Sequence, residues 1–294
     1  MANERLIKGR IKSAKNIAQI TKAMQMVAAS KMRKAQAAAL SGRPYASKIA
    51  EVVSELVGRI DSTKHLLLQK PVNGKRLIVL ISTNKGLCGG LNTNLFRFIM
   101  TTFTQDDLQN AAFANVGKKG EAFLVRIKLN LVADFSSAVI FSKNIPALTT
   151  FITDGFIKGE FKEVYLIYNN FESALRQVPV SKKLLPIADF SIQQSTAQEK
   201  NSKIKKAELD FLIEPSIDAI LDELLFHYLE NQIRDALLEA EASEHSARMI
   251  AMKSATDNAN EFVDLLTLEY NKARQEKITY EIADIVTARL AVEG

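Results

Sequence analysis

Residues 216–293, a stretch of 78, contain neither glycine nor proline. Nothing there breaks a helix, and at ~1.5 Å of rise per residue an unbroken one would reach on the order of 115 Å. That is several times the width of an ordinary domain, so the stretch cannot be packed inside one globule. A single cysteine, Cys88, excludes an internal disulfide and any switch that needs two thiols, and it points to a reducing compartment. The three histidines, His65, His227 and His245, show no ligand spacing with one another or with Cys88, so no metal and no other cofactor is expected. No apolar run reaches the ~18 residues that a membrane-spanning helix needs, and no secretory h-region is present. Association with a membrane would have to come through another component.

What is present is unevenly distributed. With 294 residues, 47% of them hydrophobic and 24% charged, the chain can bury one sizeable core and still supply an extended element. The net charge of +6 divides into +10 over residues 1–48, +8 over 49–207 and −12 over 208–294. A basic helix at one end and an acidic helix at the other predict a charge-matched antiparallel pair. The basic, nearly acid-free opening is similar in composition to a mitochondrial transit peptide. Its apolar stripe continues into the rest of the helix, so it reads as mature structure.

Residues 3–57 carry the first long helical pattern. Ile17, Ile20, Met24 and Val27, spaced 3, 4 and 3, predict the seam, with Ile7 and Ile11 before them. Gly42 and Pro44 are expected to bend or interrupt this helix. Lys31, Arg33 and Lys34 form a cationic band just ahead of them. Between the two long helices, apolar β-branched runs at 76–83, 111–116, 137–141, 163–169 and 176–186 alternate with helical patterns at 92–103, 121–128 and 146–157. That alternation predicts a sheet covered by helices. The fold class is therefore α/β: a long antiparallel coiled coil of the terminal helices with an inserted Rossmann-like α/β domain. The boundaries are 1–57 and 209–294 for the shaft, 75–190 for the inserted domain, and 58–74 and 191–208 for the connections, with the second helix starting near 209 or after Pro215. In the second helix the apolar seam runs through Ile217, Leu221, Leu224, Tyr228 and Ile233, then becomes small from Ala240 to Ala259. With facing residue numbers totalling about 272, to within one or two turns, Ile17 and Ile20 pair with Ala255 and Ala251. The last ~25 residues then lack a mate.

The loop from Gly86 to Gly90, reading Gly-Leu-Cys-Gly-Gly, follows a predicted strand, where glycine amides can cradle an anion. It matches neither the P-loop nor the dinucleotide fingerprint, and a tight strand-to-helix turn explains it more simply. No set of residues makes a catalytic constellation. Nucleic acid is not expected as a partner, because aromatic residues are absent between Ala2 and Pro44 and the acidic helix competes for the same cations.

Four motifs in order carry a family. Residues 20–36 read ITKAMQMVAASKMRKAQ, 86–90 GLCGG, 242–258 ASEHSARMIAMKSATDN, and 270–275 YNKARQ, followed by Ile278, Thr279 and Glu281. Together they resemble the gamma subunit of F-type ATP synthases from end to end. The resemblance implies a non-catalytic rotor shaft turning inside a hexamer of alpha and beta subunits, its α/β domain against epsilon and the c-ring. It implies that Met24 and Arg248 form a mid-shaft pair that affects coupling, and that Arg274, Gln275, Thr279 and Glu281 contact the alpha and beta collar. Lys31, Arg33 and Lys34 face an acidic beta loop on grounds of charge, and Ile282, Ile285, Val286, Arg289 and Leu290 form the tip in the collar. Ala288-Arg289 stand where the family usually has Gly-Ala, which sets a large cation near that tip. Chloroplast relatives carry an inserted cysteine pair that is missing here, and the implied location is peripheral, on the cytoplasmic side of a bacterial inner membrane. The competing reading is a free-standing nucleotide-binding α/β protein with a coiled-coil appendage.

Overall fold

A computed structural model describes residues 2–57, 65–69, 71, 73–137, 141–187 and 216–293. The chain forms two compact units, one of Met1–Ser30 with Arg248–Gly294 and one of Lys31–Ala247. Helix α1, Ala2–Val57, and the last helix, α6, Ile217–Glu293, each contribute to both.

In the first unit the two helices are antiparallel: the Thr256 hydroxyl donates to the Thr21 hydroxyl at 2.8 Å, and the Tyr270 hydroxyl donates to Glu4 at 3.1 Å. Buried and half-buried positions step by alternating 3 and 4 residues, at 4, 7, 11, 14, 18, 21, 25 and 28 on α1 and at 252, 256, 259, 263, 266, 270, 273 and 277 on α6. This is a heptad seam. Numbers 21 and 256 total 277, and the same total sets Ile7 opposite Tyr270, Ile11 opposite Leu266 and Ala18 opposite Ala259.

The seam expected from large aliphatics lies one residue out of this frame, about 100° round the helix. Ile17, Ile20 and Val27 are 53%, 60% and 57% exposed, while Ala14, Ala18 and Ala28 are buried. Closely approaching backbones leave room only for small side chains, so the bulky ones turn outward. The proposed pairing of Ile17 and Ile20 with Ala255 and Ala251 therefore fails. The register itself is five residues from 272, inside the stated margin. Pairing also reaches farther up α6 than expected, since Glu4 meets both Tyr270 and Lys277. The unmated end starts near residue 278 and is roughly 24 Å long rather than 35 Å.

In the second unit a five-stranded sheet has the order β3-β2-β1-β4-β5. Its strands are β1, Lys75–Ile81; β2, Ala112–Val116; β3, Leu131–Asp134; β4, Phe161–Phe171; and β5, Gln177–Leu185. The first four run parallel and β5 returns antiparallel to β4. Residues 77–81 are wholly buried because both faces of β1 are covered. On one face, helix α2, Leu91–Thr102, helix α3, Gln105–Asn110, and helix α4, Lys118–Arg126, contribute Leu95, Ile99, Leu108 and Leu124 to a core with Ile78, Leu80 and Phe113. On the other, helix α5, Ile145–Ile157, packs with α6 and the end of α1: Leu148 and Ile152 join Leu225, Leu229, Ile233, Val53 and Leu56.

Several local expectations change. α1 is not interrupted at Gly42 or Pro44. Proline removes one backbone donor, and the helix beyond it is pinned by Ile49, Val53 and Leu56 in the core. α4 begins three residues before the expected 121, with Gly117 at φ 102° just ahead of it. Gly120 lies inside it because a Cβ there would stand 2.3 Å from Asn115 Oδ1. The strand expected over 137–141 falls mostly on 138–140, outside the described residues, and Phe141 opens a 3-10 turn. The short elements α3 and β3 were not foreseen. Of the two starts expected for the second helix, 209 lies outside the described residues, and the one after Pro215 agrees with α6 beginning at Ile217.

Candidate functional site

The first unit carries two stripes on each helix. Inside is the small-residue seam; outside, Leu6, Ile17, Ile20, Met26 and Val27 on α1 and Phe262, Leu265 and Leu268 on α6 stand exposed. So many large apolar side chains in solvent would be an unfavourable surface for an isolated rod, and they mark where another protein covers it. Beyond the last seam contact the end of α6 shows Ile278, Ile282, Ile285, Val286 and Leu290, with Ile285 69% and Leu290 66% exposed.

Of the residues singled out in the sequence, Met24 is half-buried and Arg248 is buried. The register sets residue 253, not 248, opposite Met24, so the two are offset by about 7 Å along the axis. Arg274, Gln275, Thr279 and Glu281 are all exposed. The Thr279 hydroxyl donates to the Gln275 carbonyl at 3.0 Å, and Glu281 pairs with Lys277 at 3.5 Å. Arg289 is exposed at the tip. Lys31, Arg33 and Lys34, in the second unit, are exposed on α1. The sequence reading missed the cluster of Glu4 with Tyr270 and Lys277. Its signal was available, since Glu4 is the one acid among the first 48 residues.

The glycine loop is closed on itself. Asn92 Nδ2 donates to the Thr83 hydroxyl at 2.8 Å and to Cys88 Sγ at 3.5 Å, and the Thr83 hydroxyl donates to the Lys85 carbonyl at 2.8 Å. Asn84 Oδ1 accepts from the Lys118 amide at 3.2 Å, tying the loop to the start of α4. Leu87 and Gly89 take left-handed φ values of 61° and 59°. These bonds build a tight turn between β1 and α2. Among the described residues no group of histidine, cysteine and carboxylate side chains is placed to hold a metal, and no helix is long and apolar enough to cross a membrane.

The family profile described as ATP synthase matches residues 3–292. An ATP synthase gamma chain of Opitutus terrae is 43% identical over 300 residues, covering 99% of both chains. One of Akkermansia muciniphila is 41% identical over 296 residues, covering all of both. The chain belongs to the ATP synthase gamma family. Among solved structures, the rotor of the Euglena gracilis mitochondrial ATP synthase superposes with a TM-score of 0.61 at 20% identity, covering 94% of this chain and 99% of that one. The central stalk and c-ring structure of the Tetrahymena thermophila enzyme gives 0.56 at 27% identity over 80% of this chain and 99% of that one. The gamma-family fold thus accounts for both the helix pair and the inserted sheet.

Proposed function

We propose that this chain is the central shaft of a rotary ATP synthase, itself non-catalytic, which turns inside a hexamer of alpha and beta subunits and is driven by a c-ring through its α/β domain and an epsilon subunit. The observation that carries this reading is the outward stripe of large apolar residues, continued by the unmated tip of α6. A lone coil has no use for it, whereas a sleeve of surrounding subunits would bury it. Residues 1–57 and 209–294 form the shaft in this reading, with 75–190 inserted between connections at 58–74 and 191–208. Because the shaft is asymmetric, each orientation presents a different face to each beta subunit, which is the differential interaction that coupling requires. Arg274, Gln275, Thr279 and Glu281 engage the collar, with Ile282, Ile285, Val286, Arg289 and Leu290 above them. Lys31, Arg33 and Lys34 meet acidic groups on beta, and Met24 with Arg248 tunes coupling in mid-shaft. The complex is peripheral to a membrane, on the cytoplasmic side of a bacterial inner membrane.

Affinity purification of the tagged chain tests the reading. Recovery with stoichiometric nucleotide-binding partners and no ATPase in the chain alone is expected; ATPase activity in the isolated chain would overturn it. In the complex, Met24→Lys adds a cation to the crowded mid-shaft and is expected to lower proton pumping while ATP hydrolysis persists. Equal loss of both would point to misfolding and remove Met24 from the coupling set.

A further inference from the structure

The shaft reading leaves open how rotational load crosses from the sheet to the helix pair. Within the second unit, the face of α6 that packs on the sheet buries Leu221, Leu225, Leu229, Ile233 and Leu237, and beside it a polar stripe runs through Asp235, Glu239, Ser243 and Ser246 at successive turns. Three hydrogen bonds leave this stripe. The Gln177 side-chain amide on β5 donates to the Ser246 hydroxyl at 3.5 Å, and the Tyr168 side chain on β4 lies beside Glu239. The Ser243 hydroxyl donates to the Asn169 carbonyl at 2.9 Å, and the Ser246 hydroxyl to the Ala174 carbonyl in the β4–β5 turn at 2.7 Å. The contacts advance along both elements in the same direction. Cross-strand register sets Leu166 opposite Lys182 and Tyr168 opposite Val180, so the Lys182 ammonium lies on the face that carries Tyr168, toward Asp235 and Glu239.

This patch costs stability. Burial pushes the Asp235 and Glu239 carboxyls up and the Lys182 ammonium down from their ordinary values, each against the pull of its partners. Packing of α1 on α6 is thin at the same level: Ala39 and Gln36 with Leu40 and Arg43 of α1, Asp235, Glu239 and Ala242 of α6, and Phe171 and Glu172 of the hairpin line a cavity of about 350 Å³. Apolar contact resists separation but is non-directional, whereas a hydrogen bond weakens steeply when its angle changes. A joint under torque therefore gains from directional bonds where apolar packing is thin.

We propose that this polar ladder, Ser243 to Asn169, Ser246 to Ala174 and Gln177 to Ser246, with Tyr168 and Lys182 beside Glu239, is the joint that carries torque between the α/β domain and the shaft, and that Ser243 and Ser246 are positioning residues in it. The proposal rests on the shaft reading. Ser243→Ala and Ser246→Ala, singly and together, are made in the membrane-bound complex, with Thr101→Val, an exposed hydroxyl bonded within α2, as the control. Loss of one buried hydrogen bond shifts the docked-to-open ratio about fivefold, so amide exchange in the β4–β5 turn should quicken by about that factor. ATP hydrolysis without a proton gradient should be unchanged, whereas protons pumped per ATP against an imposed gradient should fall, most in the double variant. A double variant that pumps against the gradient as wild type does overturns the proposal. If the double variant does not assemble, Ser243→Ala decides, since it removes one hydroxyl: unchanged exchange and unchanged pumping under load overturn the joint. Failure of the shaft reading would look different, because the wild-type chain would then be missing from the pumping complex.

Discussion

The two stripes on α1 make opposite predictions for neighbouring residues. Ala18 is buried and faces the half-buried Ala259, so Ala18→Leu adds three carbons to a seam position filled by small side chains. Overpacking of this kind costs ~1–3 kcal/mol. In a domain of 150–250 residues each kcal/mol moves the melting midpoint by roughly 2–4 °C, so a fall of several degrees is expected for the isolated chain. Ile17 is 53% exposed in the chain by itself. Burying an isoleucine fully is worth ~1.5–3 kcal/mol, so Ile17→Ala gives up about 1 kcal/mol of assembly and little stability of the lone chain. Circular dichroism melts of the isolated chain, paired with dilution-driven dissociation of the complex, separate the two effects. If Ile17→Ala melts the isolated chain as far as Ala18→Leu does, the seam has been placed on the wrong face.

Other sites give sharper local tests. Gly120→Ala sets a Cβ 2.3 Å from Asn115 Oδ1 and 2.8 Å from Ser82 Oγ, both buried, and should lower stability by ~1–3 kcal/mol in urea titration; an unchanged midpoint would show that α4 is not seated against β2 in this way. Burial raises the Glu163 carboxyl, but the Lys183 ammonium at 2.9 Å and the Arg76 guanidinium outweigh it and hold it below its ordinary value. That contribution is present above the unfolded carboxylate pKa of ~4.3 and is lost as pH falls through the lower folded value, so Glu163→Gln should cost up to ~1 kcal/mol at neutral pH and nothing in strong acid. A pH-independent cost would contradict the ion pair. At the tip, Ile285→Asp should leave the melt of the isolated chain unchanged and shorten the lifetime of the complex at least tenfold, by ~1.4 kcal/mol or more, since a charge would replace buried apolar surface. A complex of unaltered lifetime would show that the tip is not enclosed.

The last helix was legible from its absence of breakers and the helix pair from opposed charge, both properties of whole segments, whereas α1 runs on through Gly42 and Pro44. β1 was legible because a strand covered on both faces must be apolar throughout, as residues 77–81 are. The seam was misread for a physical reason: bulk was taken as the sign of burial, whereas in a tightly approaching pair the buried positions are Ala14, Ala18 and Ala28. The small run from Ala240 onward was read as close packing of helix on helix. Ser243 and Ser246 in fact donate to strand and turn carbonyls, which no helical periodicity discloses. The start of α4 was hidden because Gly117 and Gly120 read as a turn until the positions of Ser82 and Asn115 are known.

The central claim is that this chain turns within its complex. A fluorescent rod attached to an exposed position of the α/β domain, such as Met100 after Met100→Cys in a Cys88→Ser background, reports it directly when the hexamer is fixed to a surface and ATP is supplied. The account predicts unidirectional rotation that pauses at each third of a turn and stops when ATP is removed. A rod that stays still while the same complexes hydrolyse ATP would contradict it.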